Sequence, residues 1–314
     1  MSQLLQLRLQ AEGGDPRAQF QLARMMLIGR EAPYAPDDAM RLVNAACAKK
    51  YDQALLFHAA LAALGLGRPQ NFADAISLVA QAAKTGSGRA KGQLAALGGV
   101  NGFNIESWRA IPPQQQHQTA PRVFTIDNFL PRPVCLWLIS QTRNRLESAK
   151  VKDPARGGSA VNAHRSNTGA GFSSIESDLV LQLTRMRIAA AIGMPLMHLE
   201  PSNVLHYDPG QEYRPHFDFV AAEDEHNFQR ELAVMGQRVC TFLVYLNDGY
   251  DGGETDFPRL DWRYKGKTGD ALIFWNVSAK GERERDSIHA GLPVTKGEKW
   301  LFSQWIREKP VPLV

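Results

Sequence analysis

Residues 206–219 read HYDPGQEYRPHFDF. The stretch places His216 and Asp218 two positions apart, with β-forming aromatics between and after them. Side chains alternate along a strand, so these two leave the same face and can meet one ion. Downstream, SIHAGLPVTKGEKW over 287–300 supplies His289 and, ten residues on, Lys299. Two imidazoles and one carboxylate hold non-haem Fe(II) on one side and leave positions open for an oxidant and a co-substrate. A lone His-x-Asp is mostly coincidence. What carries the iron reading is the combination of that pair, the turn-rich GGET stretch between, the distal His and a basic residue heading another strand.

Four more strands follow from alternation: RVCTFLVYLN, the short segment after GGET, TGDALIFWN and KWLFSQWIRE. Short strands with Gly/Pro/Asp turns indicate a jelly-roll barrel that holds ligands in its mouth. On the last strand, parity puts Lys299, Leu301, Ser303 and Trp305 on one face, so if Lys299 points inward Trp305 does too. Upstream, RVFTIDNFL alternates as a strand and PRPVCLWLISQTRNRLESA suits a helix starting just after Pro131 or Pro133. Residues 150–173 are rich in Gly, Ser and Asn and read as a long loop, a candidate lid. Residues 176–192 return to helical spacing, and 220–237 read as a charged loop or short helix overhanging the site.

The first hundred residues repeat. Ala18 recurs as Ala54 and Ala90, Asp38-Ala39 as Asp74-Ala75, and Ala46 as Ala82, each 36 positions on. Such a period signals stacked helix pairs whose small residues let helices approach closely. The array either presents a concave surface to a protein partner or packs on and shields the second domain. His58 reads as a packed or partly exposed residue of a repeat helix. Residues 99–121 bring Gly, Pro and Gln together without an apolar period, and Pro112-Pro113 excludes helix there. His117 in that stretch reads as exposed and idle.

At 314 residues, two domains are the default expectation. The net charge of +4 sits wholly in residues 1–120, with 12 Lys+Arg against 8 Asp+Glu, the remainder carrying 24 of each. That falls short of the dense basic stripe that nucleic acid demands. No run of eighteen apolar residues predicts a membrane span, and the N-terminus lacks a secretion signal. Three scattered cysteines, Cys47, Cys135 and Cys240, fit buried thiols in a reducing, cytoplasmic setting. The expectation is an α+β protein: helical repeats over 1–100, a linker over 101–120, and over 121–310 a double-stranded β-helix (jelly-roll) barrel with flanking helices.

Two resemblances sharpen this. Over residues 11–98, the Ala/Leu spacing and the Gly closing each second helix resemble SEL-like repeats, relatives of the tetratricopeptide repeats. Over 122–308, HYDPGQEYRPHFD, RVCTFLVYLND, GGETDFP, GDALIFWN and HAGLPVTKGEKWLFSQWI resemble the prolyl 4-hydroxylase group of iron- and 2-oxoglutarate-dependent dioxygenases. The resemblance implies that His216, Asp218 and His289 bind Fe(II) and that Lys299 takes the distal carboxylate of 2-oxoglutarate. It places Tyr207 and Thr241 in hydrogen bonds to that co-substrate, and Tyr213 and Trp305 at the entrance for a substrate peptide. Arg165 sits about where the family has an Arg-Ser/Thr pair and is a substrate-contact candidate. O2 is implied as co-substrate, with ascorbate as an accessory. His164, His198, His206 and His226 lack ligand spacing and receive no role.

Three functions remain open on sequence: prolyl hydroxylation of a peptide or protein, the same chemistry on a small molecule or another side chain, and a binding scaffold with an inactive barrel. Substrate identity and oligomeric state are not encoded legibly.

Overall fold

The structure, a computed structural model, describes every residue except 1–2, 149, 154–157, 162–164, 174–176, 222–224, 227 and 313–314. The described residues fall into two compact units, one within 1–108 and 175–184, the other within 109–174 and 185–313.

The first unit is built from six consecutive helices, α1 (Gln3–Glu12), α2 (Pro16–Ile28), α3 (Pro36–Ala48), α4 (Asp52–Leu64), α5 (Phe72–Lys84) and α6 (Gly88–Ala96). The starts of α2, α4 and α6 are spaced by the 36-residue period, as are those of α3 and α5. Local chemistry sets these ends. Asp15 caps α2 by accepting from the Arg17 amide, with Pro16 following, and Asn71 caps α5 by accepting from the Asp74 amide at 3.0 Å. Gly29 and Gly65, also 36 apart, close α2 and α4 in the left-handed conformation. The repeated alanines are the contact surface: Ala18, Ala39, Ala46, Ala54, Ala75, Ala82 and Ala90 are all buried. His58 is half-buried, with Nε2 2.9 Å from the Arg68 guanidinium, as a packed repeat residue should be.

The stretch read from sequence as a linker instead carries structure. After α7 (Gly99–Gly102) and α8 (Ile105–Arg109), residues on either side of His117 form a strand. That strand, β1 (Gln115–Thr119), pairs antiparallel with β2 (Arg122–Ile126). His117 is accordingly not idle: Nε2 lies 2.8 Å from Thr125 Oγ1 and the ring 5.0 Å from that of Trp262. Polar Gln residues hid this edge strand, because an edge needs no apolar face.

Helix α9 (Arg132–Thr142) begins after Pro131, as expected. After β3 (Glu147–Ser148), the predicted loop over 150–173 holds three strands among its described residues: β4 (Lys150–Asp153), β5 (Gly158–Val161) and β6 (Thr168–Phe172), with β4 pairing β5 and β3 pairing β6. The remainder of the lid expectation, 154–157 and 162–164 with His164, lies outside the described residues. Helix α10 (Leu179–Ile192) follows, then β7 (Ser202–Tyr207), β8 (Tyr213–His216), and a helix α11 (Gln229–Met235) within the charged stretch. The closing strands are β9 (Arg238–Tyr245), β10 (Asp251–Gly252), β11 (Thr255–Phe257), β12 (Trp262–Tyr264), β13 (Ala271–Trp275), β14 (His289–Gly291), β15 (Val294–Lys296) and β16 (Lys299–Arg307).

Among these, an eight-stranded sheet runs β1-β2-β13-β9-β16-β7-β6-β3 and a four-stranded sheet β12-β11-β14-β8. Tyr207, Leu243, Phe274 and Leu301 from the larger sheet pack with Phe257 of the smaller in one apolar core. Two antiparallel sheets packed face to face make the jelly roll, and the molecule is α+β with helices first. No helix among the described residues is long and apolar enough to cross a membrane.

Candidate active site

The two distant histidines meet through strand pairing. In the smaller sheet β14 pairs antiparallel with β8, and His289 stands directly opposite His216. Their rings are 4.3 Å apart. Asp218 is not on the strand, as the alternation expected, but in a bend just past its end. The bend still turns its carboxylate to the histidines, with Oδ1 3.8 Å from His216 Nε2 and Oδ2 3.6 Å from His289 Nε2. All three donor atoms lie within 4.8 Å of one another.

The geometry around the rings suits a metal. His216 Nδ1 lies 2.8 Å from the Arg214 carbonyl and His289 Nδ1 3.0 Å from the Ser287 carbonyl. A carbonyl accepts only, so each Nδ1 carries a proton and each Nε2 is the nitrogen turned to Asp218, the orientation a metal-ligating imidazole needs. Burial, then the neighbouring His289, pushes the His216 ring down to about 3, so it stays neutral and available as a ligand. Burial pulls the Asp218 carboxyl upward, but His289, His216 and the Thr241 hydroxyl outweigh it and leave the group below its usual range. Two imidazoles and one carboxylate on one side of a cavity match the donor set for Fe(II).

The larger sheet supplies the opposite wall. In the β16–β7 pairing Lys299 stands opposite Tyr207, and in the β16–β9 pairing Trp305 stands opposite Thr241. Lys299, Leu301, Ser303 and Trp305 all line the same cavity of about 170 Å³ that His216, Asp218 and His289 line, as parity demanded. Lys299 is 1% exposed. Its ammonium donates to the Gly253 carbonyl at 2.7 Å and lies 5.1 Å from the Tyr207 ring. Burial lowers it to about 7, outweighing the opposing pull of the Glu254 carboxylate.

The GGET turn is required for that contact. Gly252 and Gly253 have φ of +68° and +69°. A Cβ on Gly252 would sit 2.5 Å from the Pro293 carbonyl oxygen, and one on Gly253 3.3 Å from Lys299 Cδ.

Thr241 departs from its expected role. Its hydroxyl donates to Asp218 Oδ2 at 2.7 Å and accepts from Asn276 Nδ2 at 3.0 Å, so it sits behind the carboxylate and not on the cavity wall. Tyr207, by contrast, does line the cavity, with burial raising its phenol to about 12. At the entrance Tyr213 stacks on His216 with centroids 3.5 Å apart, and the Arg165 guanidinium lies 4.6 Å over the Tyr213 ring.

Four residues that sequence reasoning passed over complete the surround. The Arg238 guanidinium lies 3.7 Å over the Trp305 ring and is held by Glu200 through bonds of 2.8 and 3.1 Å. Arg307 donates to the same carboxylate. Asn276, at the end of GDALIFWN, steadies Thr241. Their only sequence signal was a charged or amide residue at the margin of an apolar strand.

Comparison with known proteins agrees. Residues 202–307 match the 2OG-Fe(II) oxygenase superfamily. Prolyl 4-hydroxylase 1 of Arabidopsis thaliana is 34% identical over 204 residues, covering 60% of this chain and 70% of that protein. The solved 2OG complex of the viral collagen prolyl hydroxylase from Paramecium bursaria Chlorella virus-1 is 28% identical with a TM-score of 0.46, covering 59% of this chain and 95% of that one. A Sel1 repeat protein from Oxalobacter formigenes matches 34% of this chain and 86% of its own at 24% identity and a TM-score of 0.30. The chain belongs to the prolyl 4-hydroxylase family of 2OG-Fe(II) oxygenases and is a dioxygenase dependent on Fe(II), 2-oxoglutarate and O2.

Proposed function

We propose that this enzyme hydroxylates a prolyl residue of a peptide or protein, releasing succinate and CO2. The observation that carries the reading is the buried Lys299 ammonium sharing one cavity with the His216, Asp218 and His289 donors. His216 and His289 ligate Fe(II) through Nε2 and Asp218 through its carboxylate. Lys299 binds the distal carboxylate of 2-oxoglutarate, a charge-assisted hydrogen bond that replaces an unpaired buried cation. The Tyr207 phenol, facing the same space, adds direction to that carboxylate. When bound, iron with its co-substrate supplies the oxidising power to hydroxylate an unactivated C–H bond.

Thr241 holds the Asp218 carboxylate ionised and aimed. Trp305, pressed by Arg238, and Tyr213, pressed by Arg165, form two rigid aromatic walls at the cavity mouth. A prolyl ring is compact, apolar and lacks an N–H donor, which suits an aromatic slot with little to hydrogen-bond. That feature favours a prolyl substrate over a polar small molecule. Ascorbate would serve to keep the iron ferrous, and the free thiols fit a reducing, cytoplasmic setting. The helical repeats would recruit the protein substrate.

The test is mass spectrometry of proline-containing peptides incubated with Fe(II), 2-oxoglutarate and ascorbate. A gain of one oxygen on proline, lost in His289→Ala, supports the reading. Succinate release without a modified proline on any peptide would favour the small-molecule alternative, and no succinate release at all would favour the scaffold.

A further inference from the structure

A second group of donors converges on the reverse side of the strands that carry Tyr207 and Lys299. His206 precedes Tyr207 on β7, Asp208 follows it, and Glu298 precedes Lys299. Alternation turns His206 away from the cavity, against Trp300, its partner in the β7–β16 register. The two rings lie 4.3 Å apart.

His206 Nε2 lies 3.7 Å from Asp208 Oδ1 and 3.5 Å from Glu298 Oε2. Its side chain is 7% exposed, and among the described residues this nitrogen has no hydrogen-bond partner. A buried, unpartnered nitrogen aimed between two carboxylates calls for something positive between them.

We infer that His206, Asp208 and Glu298 form a second divalent-metal site, suited to Zn2+ or a similar first-row ion that accepts imidazole and carboxylate together. The spacing separates a metal from a proton. Donors about 2.1 Å from a tetrahedral ion stand roughly 3.4 Å apart, whereas a shared proton would draw nitrogen and oxygen to about 2.9 Å. The separations here match those among His216, Asp218 and His289, at 3.8 and 3.6 Å.

The surroundings agree with a ligand role. Thr168 Oγ1 lies 3.1 Å from His206 Nδ1, where it can accept the ring proton and leave the Nε2 lone pair free. Trp300 Nε1 donates to Glu298 Oε2 at 3.0 Å and fixes the carboxylate. Arg143 also donates to that oxygen, at 3.3 Å, but its side chain is 57% exposed and can withdraw as an ion arrives. Asp208 and Glu298 are each about half exposed, so water can reach the site and complete the coordination. An ion held there would tie β7 to the turn before β16, immediately behind Tyr207 and Lys299.

The experiment is calorimetric titration of the chelator-stripped full-length protein with Zn2+. Two equivalents are expected. His289→Ala should remove one and keep the other. His206→Gln and Asp208→Asn should each remove the other equivalent or weaken it at least about tenfold, with the His289-dependent equivalent intact. Asp208 is on the surface, so its variant keeps the fold even where His206→Gln does not, and circular dichroism checks both. A single wild-type equivalent abolished by His289→Ala, or a second equivalent unchanged in Asp208→Asn, overturns the site.

Discussion

The Thr241 hydroxyl donates to Asp218 Oδ2 at 2.7 Å, a bond that ties the threonine to the proposed iron ligand and not to the proposed co-substrate. Thr241→Val keeps the shape and deletes that bond. The expected outcome is a 10- to 100-fold loss of Fe(II) affinity, the usual effect of losing a group that orients a ligand, with 2-oxoglutarate affinity in iron-saturated enzyme nearly unchanged. Titration of each in turn checks this. A variant that loses 2-oxoglutarate affinity and keeps iron would restore the role implied by the family resemblance.

Lys299→Ala should raise the 2-oxoglutarate requirement while iron binding persists. A charge-assisted hydrogen bond of about 1.5–3 kcal/mol converts to roughly a 10- to 150-fold weaker Kd. Isothermal titration with 2-oxoglutarate measures it, and equal affinity in the variant would refute the assignment.

The same lysine gives stability a pH signature. Folding lowers its pKa from 10.5 to about 7, so between those values the unfolded chain binds more protons and stability of the free protein rises with pH. Below about pH 7 the whole penalty is present. Lys299→Met should therefore stabilise the ligand-free protein most at pH 6 and progressively less toward pH 10, by an amount on the order of a few kcal/mol at the acid end. Urea midpoints of both proteins across that range test it. Binding of 2-oxoglutarate, which needs the ammonium form, should weaken above pH 7 in the wild type.

Glu200 takes hydrogen bonds from both Arg238 and Arg307, and Arg307 is 1% exposed. Burial pulls the Glu200 carboxyl upward, but the two guanidinium groups outweigh it and hold it below its usual range. Glu200→Gln would leave two buried cations short of an anion, at a cost of about 3 kcal/mol or more. Its stabilisation is present above the unfolded carboxylate pKa and fades only as the pH falls through the lower folded value. Thermal melts should show the two proteins far apart at pH 7 and drawing together as the pH is stepped down below the usual carboxylate range.

In the repeats, Ala54→Leu should destabilise by about 1–3 kcal/mol through overpacking, because Ala54 has no exposed surface. Gln53→Leu, one position away and exposed, should change stability by less than about 0.5 kcal/mol. Equal effects at the two positions would dissociate the 36-residue period from helix contact.

What could be read without coordinates was whatever local periodicity or spacing encodes. The alanine repeat and the strand face shared by Lys299 and Trp305 follow from rules that act over a few residues, whereas Asp218 joins His216 through a bend and not through the strand alternation expected of it. The pairing of β14 with β8, which makes His289 and His216 neighbours, needed a recognised order of motifs, since nothing local links positions so far apart. The edge strand around His117 was missed because its residues are polar on both faces. Glu200 with its two arginines, Asn276 behind Thr241 and the His206 cluster were missed for a different reason: each joins side chains from segments far apart in the chain, at or just beyond strand ends, and no single segment carries a mark of its partner.

Strand β16 pairs with β7 from Lys299 to Ser303 and with β9 from Leu301 to Arg307, so one neighbour or the other holds it along its whole length. The six steps from Lys299 to Trp305 span roughly 20 Å. One backbone thus gauges the distance from the floor of the cavity to its rim. A residue inserted or deleted between those two positions would rotate one of them to the outside of the barrel, so evolution can lengthen the loops around this strand but must keep the count along it fixed.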